Sequence, residues 1–449
     1  MFAEMKLRNW QQFGAVELSF HDHLTILTGA NGAGKTTILN ILATHFNWQS
    51  NFVGEFIEDE LSKTHNFSNS FREIESEIAD IAIPEPQAPP RHSYTKVAPK
   101  TDIIGEIVYA NADSDHQPHN ILIPKEGIGP TYTPTVDNMK TVKGIYIHSQ
   151  RPLFQYKEVK NIPTSAINRA MIYNEYFAIE RLKHSDNFDN KERTATSSIK
   201  ESLIALAVFG EGNKHIRPNE ESKELFEGFL ELLKNILPPK IGFEAVKIVP
   251  PEVVFVTNTG EFLLDAVSGG VASIMSIAWE IYMYADPNEQ FVVLIDEPEN
   301  HLHPELQKTF MSNLIKSFPN VQFIVVTHNP LIISAVKDSR IYVLDYTFDE
   351  ISHQEVPSND SSSDIIKRVY SRELDFVNKA GTSNEILSSA LGIDSTIPQW
   401  ADEKIREIIE RYSALEFTTD VLSGLKAELN EYGLGSRIPS TIAEVSKNK

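Results

Sequence analysis

Nine consecutive residues, Gly29 to Thr37, constrain this chain more than any other stretch. They read GANGAGKTT, an instance of G-x-x-x-x-G-K-[ST], which is the spacing of a phosphate-binding loop. Glycines at 29, 32 and 34 let the backbone turn tightly, so that successive N–H groups converge on one anion. Lys35 then reaches the β- and γ-phosphates of a nucleotide, and the Thr36 hydroxyl is placed to hold Mg²⁺. Asn31, Gly32, Gly34, Lys35, Thr36 and Thr37 are therefore the expected contacts to ATP. The flanks agree with this reading. Residues 23–28 pattern as a short buried strand, and residues 35–46 carry Ile38, Leu39, Ile41, Leu42 and Phe46 at helical spacing. The positive end of that helix would face the phosphates.

With 449 residues the chain is long enough for roughly two or three domains and a large core. It has no cysteine, so a disulfide framework and a thiolate metal site are both excluded. No stretch approaches the ~20 apolar residues that cross a bilayer, and the N-terminus does not read as a signal peptide. A soluble cytoplasmic protein with no membrane contact is expected. The net charge of −21 opposes non-specific attraction to nucleic acid. It leaves room for a local basic groove, or for nucleic acid reached through a complex.

Composition divides the chain. Residues 1–48 hold alternating runs, the loop and its helix. Lys6 to Trp10 and Phe13 lie just upstream of the loop. An aromatic or arginine there packs on adenine, or else fills an ordinary core or surface role. Residues 49–102 are acidic, with Glu55, Glu58, Asp59, Glu60, Glu73, Glu75, Glu77 and Asp80, and are then broken by Pro84, Pro86, Pro89 and Pro90. They read as a surface insertion with a semi-rigid connector, or simply as a solvated acidic face and loop. Residues 103–150 read as a β-subdomain ending in a strand that stops at His148-Ser149-Gln150.

Residues 151–240 read as a helical lobe, with helices at 165–183 and 222–237 and a loop at 185–193. Residues 241–361 return to strands. Continuous apolar runs at 291–295 and 321–326, separated by a helix at 304–318, are what parallel strands buried on both faces look like. A polar linker at 357–364 precedes a segment, 362–449, that reads as mostly helical. Its apolar faces (Ile405, Ile408, Ile409 and Tyr412; Val421, Leu422, Leu425 and Leu429) serve docking or assembly, or pack on the head.

Five separate stretches fit one site. Asp296 ends an apolar strand, where a carboxylate can hold Mg²⁺, and Glu297 follows it, placed to polarise a water for attack on the γ-phosphate. Gln150 ends a second strand, where a neutral amide can sense metal and water. His328 ends a third, where an imidazole can touch the γ-phosphate. Ser268-Gly269-Gly270 precedes a helical run and offers a second anion site at its N-terminus. Each has a plain alternative: surface acids, structural strand-end side chains, a turn with an N-cap.

The loop, Gln150, V-S-G-G-V-A-S (residues 267–273), L-I-D-E-P-E-N-H-L-H-P (294–304) and V-V-T-H-N-P (325–330) together resemble the ABC-class ATPases. D-E-P-E-N-H-L-H-P is similar to the RecF/SMC-like and OLD-type branch and unlike a transporter cassette. The resemblance implies an α/β head, with a mixed sheet, a β-subdomain and a helical signature lobe, followed here by a helical C-terminal segment. It also implies a homo-oligomer of head-to-tail dimers with ATP and Mg²⁺ held between two subunits. Ser268 and Gly270 would act on the other subunit's ATP, and Asn300 and His301 would form the loop that crosses between sites.

The sequence shows no long coiled coil, no Toprim pattern after His328 and no HNH pattern. What remains resembles the ATPase subunit of two-component anti-phage systems of the Septu type, in which a separate HNH nuclease is the partner. The rivals are a RecF-like DNA-repair ATPase, a transport ATPase and a scaffold that hydrolyses ATP slowly.

Overall fold

The computed structural model describes the chain except residues 49, 59–64, 69–100, 111–116, 125–130, 152, 164, 184–193, 287–288, 349–366, 375–382, 384, 388–397, 416–417 and 448–449. Most of the acidic, proline-broken stretch, the 185–193 loop and the 357–364 linker therefore lie outside the described residues.

The alternating run at the N-terminus forms β1 (Phe2–Trp10) and β2 (Phe13–Ser19), paired antiparallel. β3 (Leu24–Gly29) enters the phosphate loop, and α1 (Lys35–Ala43) leaves it. The short strands β4 (Phe52–Val53), β5 (Glu55–Glu58) and β6 (His65–Ser68) follow, then β7 (Thr101–Tyr109), β8 (His119–Pro124), β9 (Thr131–Tyr132), β10 (Thr135–Val136) and β11 (Gly144–Ile147). A helical stretch comes next: α2 (Arg169–Lys183), α3 (Ala195–Glu211) and α4 (Glu220–Ile236). A separate antiparallel sheet is made of β12 (Phe243–Val249), β13 (Glu252–Thr257) and β14 (Gly260–Leu263). α5 (Gly269–Tyr284), β15 (Phe291–Asp296), α6 (Pro304–Ser317), β16 (Val321–Val326), α7 (Pro330–Ile333), β17 (Arg340–Phe348) and β18 (Lys367–Glu373) complete this part of the chain.

The main sheet has the order β10-β8-β7-β1-β2-β18-β17-β3-β16-β15-β11. Its two halves differ. From β17 to β11 every neighbouring pair is parallel. From β10 to β2 every pair is antiparallel. In the parallel half, every residue of β3, β15 and β16 is buried, as their unbroken apolar runs require. Gln322 is the polar exception in β16. It is 1% exposed and fully used: its side chain accepts from the Phe2 N–H at 3.0 Å and donates to the Phe2 carbonyl at 2.8 Å.

One open choice is settled here, one expectation is corrected, and one helix is added. Trp10 and Phe13 are core residues, stacked on each other with centroids 5.9 Å apart, and no part of either ring is exposed to meet a base. Residues 367–373, read with the helical tail, form β18, which joins the two halves of the head sheet. Its polar composition, KRVYSRE, hides a strand because Val369 is its one fully buried apolar residue among those described and the backbone ladder carries the rest; Ser371 adds a bond from the Glu17 N–H at 2.8 Å. α3 was not separable by periodicity, because most of its faces are buried and the apolar stripe is blurred. Its start is marked instead by a capping box between Thr194 and Ser197.

Residues 1–383 make one unit and residues 384–449 a second. In the second, helices Gln399–Ser413, Thr419–Glu431 and Ile438–Lys447 bury Ile408, Ile409, Leu425, Leu429 and Val445 in a core of their own. Of the apolar residues expected to dock a partner or pack on the head, Ile405, Ile408, Ile409, Tyr412, Leu425 and Leu429 pack within this core.

Candidate functional site

The phosphate loop links β3 to α1 through backbone that only glycine adopts comfortably. Gly29 has φ +124° and Gly34 φ +83°. Space forbids a side chain as well. A Cβ on Gly29 would lie 2.2 Å from the Leu344 carbonyl oxygen of β17, and one on Gly34 2.3 Å from the Phe13 ring. Phe13 therefore supports the loop from beneath. Asn31, Gly32 and Thr36 are exposed and Thr37 is half-buried, so the loop presents its contacts to solvent.

Lys35 is only 6% exposed, and its ammonium donates to the carbonyls of Ala30 at 2.7 Å and Gly29 at 3.2 Å. Burial lowers its pKa to about 8, against the opposing pull of Glu297 and Asp296.

Asp296 ends β15, which pairs with β16, and β16 pairs with β3. That order carries the acid to the loop: the Thr36 hydroxyl donates to Asp296 Oδ2 at 3.2 Å. Burial raises the Asp296 carboxyl above its ordinary range, and Thr36, Lys35 and Arg151 partly offset this. Two hard oxygen donors, a hydroxyl and a carboxylate, suit Mg²⁺. Among the described residues no group of three His, Asp or Glu side chains could hold a metal ion. A Mg²⁺ at Thr36 and Asp296 would therefore take its other ligands from phosphate and water.

Glu297 adopts φ +51°, rare for a residue with a side chain. Its carboxylate Oε1 lies 3.9 Å from His328 Nε2. Burial, and then Asp296, raise the Glu297 pKa, while burial and then Lys35 lower that of His328. The structure thus brings together Lys35, Thr36, Asp296, Glu297 and His328.

Gln150 is not bonded to them. That side chain is exposed, and no hydrogen bond among the described residues joins it to Thr36 or Asp296. Ser268 caps α5 weakly, accepting from the Val271 N–H at 3.5 Å, and is exposed. Nor does any described hydrogen bond join residues 268–270 to the loop of the same chain. Both glycines here also have a packing reason. A Cβ on Gly269 would meet Leu153 at 3.0 Å, and one on Gly270 the His301 carbonyl at 3.1 Å. Asn300 donates to the Ser149 carbonyl at 3.1 Å, which ties the loop after β15 to the end of β11.

Two residues were missed. Arg151, next to Gln150, is buried beneath the site and bonded to four backbone carbonyls and to Ser273. Glu299 is 8% exposed, accepts from the Thr327 hydroxyl, and is pushed up to about 7 by burial. Thr327 also accepts from the Asn329 N–H at 2.9 Å, so Glu299 braces the segment that carries His328. A charged residue following a strand-end glutamine was the one available signal for Arg151. Glu299 carried none.

A family model described as "AAA ATPase domain" (AAA_15) matches residues 1–333. The Retron Vc95 probable ATPase of Vibrio cholerae serotype O1 biovar El Tor is 29% identical over 42% of this chain and 37% of its own length. The chain thus spans little over a third of that relative. The Retron Ec83 probable ATPase of Escherichia coli is 23% identical over 76% of this chain and 71% of its own. A Septu protein PtuA of Bacillus mycoides (strain KBAB4) is 36% identical over 18% of this chain and 12% of its own. Among solved structures, an SMC head bound to the C-winged helix domain of ScpA aligns with a TM-score of 0.43 at 15% identity, over 84% of this chain and 98% of that one.

Proposed function

Because the chain belongs to the AAA ATPase domain family, we propose that it hydrolyses ATP between two copies of itself and regulates a separate nuclease in anti-phage defence. The observation that carries the hydrolytic part is the meeting of three parallel strands. β3 delivers Lys35 and Thr36, β15 delivers Asp296 and Glu297, and β16 delivers His328, with Thr36 and Asp296 in direct contact.

Each residue then has a role. Lys35 exchanges its two loop carbonyls for β- and γ-phosphate oxygens. Thr36 and Asp296 would hold Mg²⁺, which would supply charge neutralisation to the phosphates. Glu297 orients a water and takes its proton, helped by a carboxyl pKa already raised by burial. His328, 3.9 Å from that carboxylate, contacts the γ-phosphate. Gln150 reaches metal and water only once nucleotide closes the site.

The exposed Ser268 end of α5 completes the site from across a head-to-tail interface, since among the described residues its side chain makes only a weak cap within α5. The defence role rests on likeness to the retron probable ATPases and to the Septu protein PtuA, and the HNH nuclease partner rests on the sequence resemblance alone.

Mixing subunits tests the shared site. Lys35→Ala and Ser268→Arg chains, each inactive alone, should recover turnover together by rebuilding one intact site per heterodimer. Confirmed heterodimers with no recovery would overturn the composite site. The partner is tested by incubating the purified chain with plasmid, linear DNA and tRNA, with and without an HNH subunit. Cleavage by this chain alone that survives Glu297→Gln would overturn the partner reading.

A further inference from the structure

Arg151 enters the protein at the end of β11, two residues after the carbonyl that Asn300 holds, and its guanidinium is almost entirely out of water. Nη2 donates to the carbonyls of Glu297 at 2.8 Å and Pro298 at 3.3 Å, and Nη1 to those of Asp296 at 3.3 Å and His148 at 3.0 Å. Nε donates to the Ser273 hydroxyl of α5 at 3.2 Å, and that hydroxyl donates in turn to the Asn300 carbonyl at 3.2 Å. Three consecutive carbonyls, 296 to 298, therefore converge on one cation. Such convergence is repulsive unless a positive charge sits at its focus. The residue in the middle, Glu297, has φ +51°, a torsion that costs free energy and persists only where the surroundings hold it.

We propose that Arg151 is a positioning residue for ATP hydrolysis: its guanidinium gathers the carbonyls of Asp296, Glu297 and Pro298 and so maintains the left-handed turn from which Glu297 faces the phosphate loop. Without the cation the three carbonyls separate, Glu297 relaxes to a right-handed torsion, and its carboxylate leaves the line of attack. Lys35 and Thr36 open α1, and Asp296 ends β15, which the β3–β16–β15 ladder holds without Arg151, so nucleotide binding stays. The same side chain touches α5 through Ser273, which gives a route by which contact at Ser268 reaches Glu297. This inference rests on Glu297 being the base.

The test compares Arg151→Met, Arg151→Ala and Arg151→Lys in the full chain. Arg151→Met should lower kcat by about 10–100-fold with ATP affinity and KM within about threefold, the pattern of an interaction used only in the transition state. Arg151→Lys should recover part of the loss. Millimolar methylguanidinium should restore turnover to Arg151→Ala but not to Lys35→Ala. Hydrogen exchange in Arg151→Met should speed up at the amides of Asn300 and Leu302 and stay unchanged in α1. Wild-type kcat in Arg151→Met, or equal loss of affinity and kcat, would overturn the inference, as would unaltered exchange in the 297–302 loop. A wild type inert toward ATP would overturn the hydrolytic reading and this inference together. Should Arg151→Met fail to fold, Arg151→Lys with kcat and loop exchange equal to wild type would be decisive against it.

Discussion

The phosphate loop and the junction around Arg151 both hold a cation away from water, and they do so over different ranges. In the loop, Lys35 is satisfied by carbonyls five and six residues back, Ala30 and Gly29. Those contacts are provisional, since two carbonyls are weaker partners for an ammonium than phosphate oxygens. At the junction, Arg151 is satisfied by carbonyls up to 147 residues away and by a helix 122 residues away. Those contacts are complete. Burial still pulls the guanidinium down to about 10, with Glu299, Glu280 and Asp296 holding it up, so it remains charged at neutral pH. The difference teaches that one cation is poised to change partners while the other is built to keep them. Ligand exchange belongs to the first and geometry to the second.

Removing the exchangeable cation should have the largest effect. Lys35→Ala should abolish ATP binding in calorimetry, and near-wild-type affinity would end the assignment of the loop. In the wild type, with Lys35 near 8, ATP should bind with proton uptake above pH 8 and more weakly toward pH 9.5. Phosphate favours the charged ammonium, so the bound state holds a proton that the free state is losing. Calorimetry in buffers of different ionisation enthalpy reads this directly, and an absence of proton uptake would place Lys35 at its ordinary value.

Glu297→Gln comes next. It keeps the amide-sized side chain on the left-handed turn and removes the base. Turnover should fall roughly 10²–10⁴-fold with ATP still bound. Unchanged turnover would move the base elsewhere and dissolve the contrast between binding and positioning.

A stability experiment on Glu299 sharpens the comparison further. Its carboxyl, raised to about 7, keeps its proton in the folded chain where the unfolded chain has lost it. Folding therefore takes up a proton between about pH 4.3 and 7, and stability falls as pH rises through that window. Glu299→Gln retains the acceptor for Thr327 and removes the charge. Its Tm should match wild type near pH 5 and exceed it at pH 8, by at most about 3 kcal/mol of stability. A constant difference across the range would show that burial does not raise this group.

The smallest effect is expected from Ser273→Ala. It removes one of five partners of Arg151, so kcat should fall only a few-fold. A loss as large as that of Arg151→Met would mean that the hydroxyl, and not the gathered carbonyls, sets the turn.

These contrasts track what could be read before the structure. The parallel strands β15 and β16 were readable because burial on both faces leaves an unbroken apolar run. Asp296 and Glu297 were readable because they end such a run. β18 was not, since seven mostly polar residues lie between β17 and β2 through their backbone ladder. Trp10 and Phe13 were visible as aromatics near the loop, but whether they face a base or the core depends on Phe52, Tyr132 and Gly34, none of them adjacent in sequence. Trp10 Nε1 donates to the Tyr132 hydroxyl at 3.0 Å, which commits it to the interior.

The amino-acid order by itself determined the phosphate loop, the strand that feeds it and the helix that leaves it. Backbone torsions and the convergence of successive N–H groups are properties of near neighbours, and glycines at the positive-φ positions announce them. It also determined which carboxylates end buried strands. Only the tertiary structure decided that Thr36 meets Asp296, that Arg151 sits beneath Glu297, that Glu299 braces Thr327, and that Ile408, Ile409, Leu425 and Leu429 of the C-terminal helices close on each other. Desolvation and hydrogen-bond partnership are set by whatever the fold brings alongside, and in these cases the neighbour comes from another strand, helix or loop of the chain.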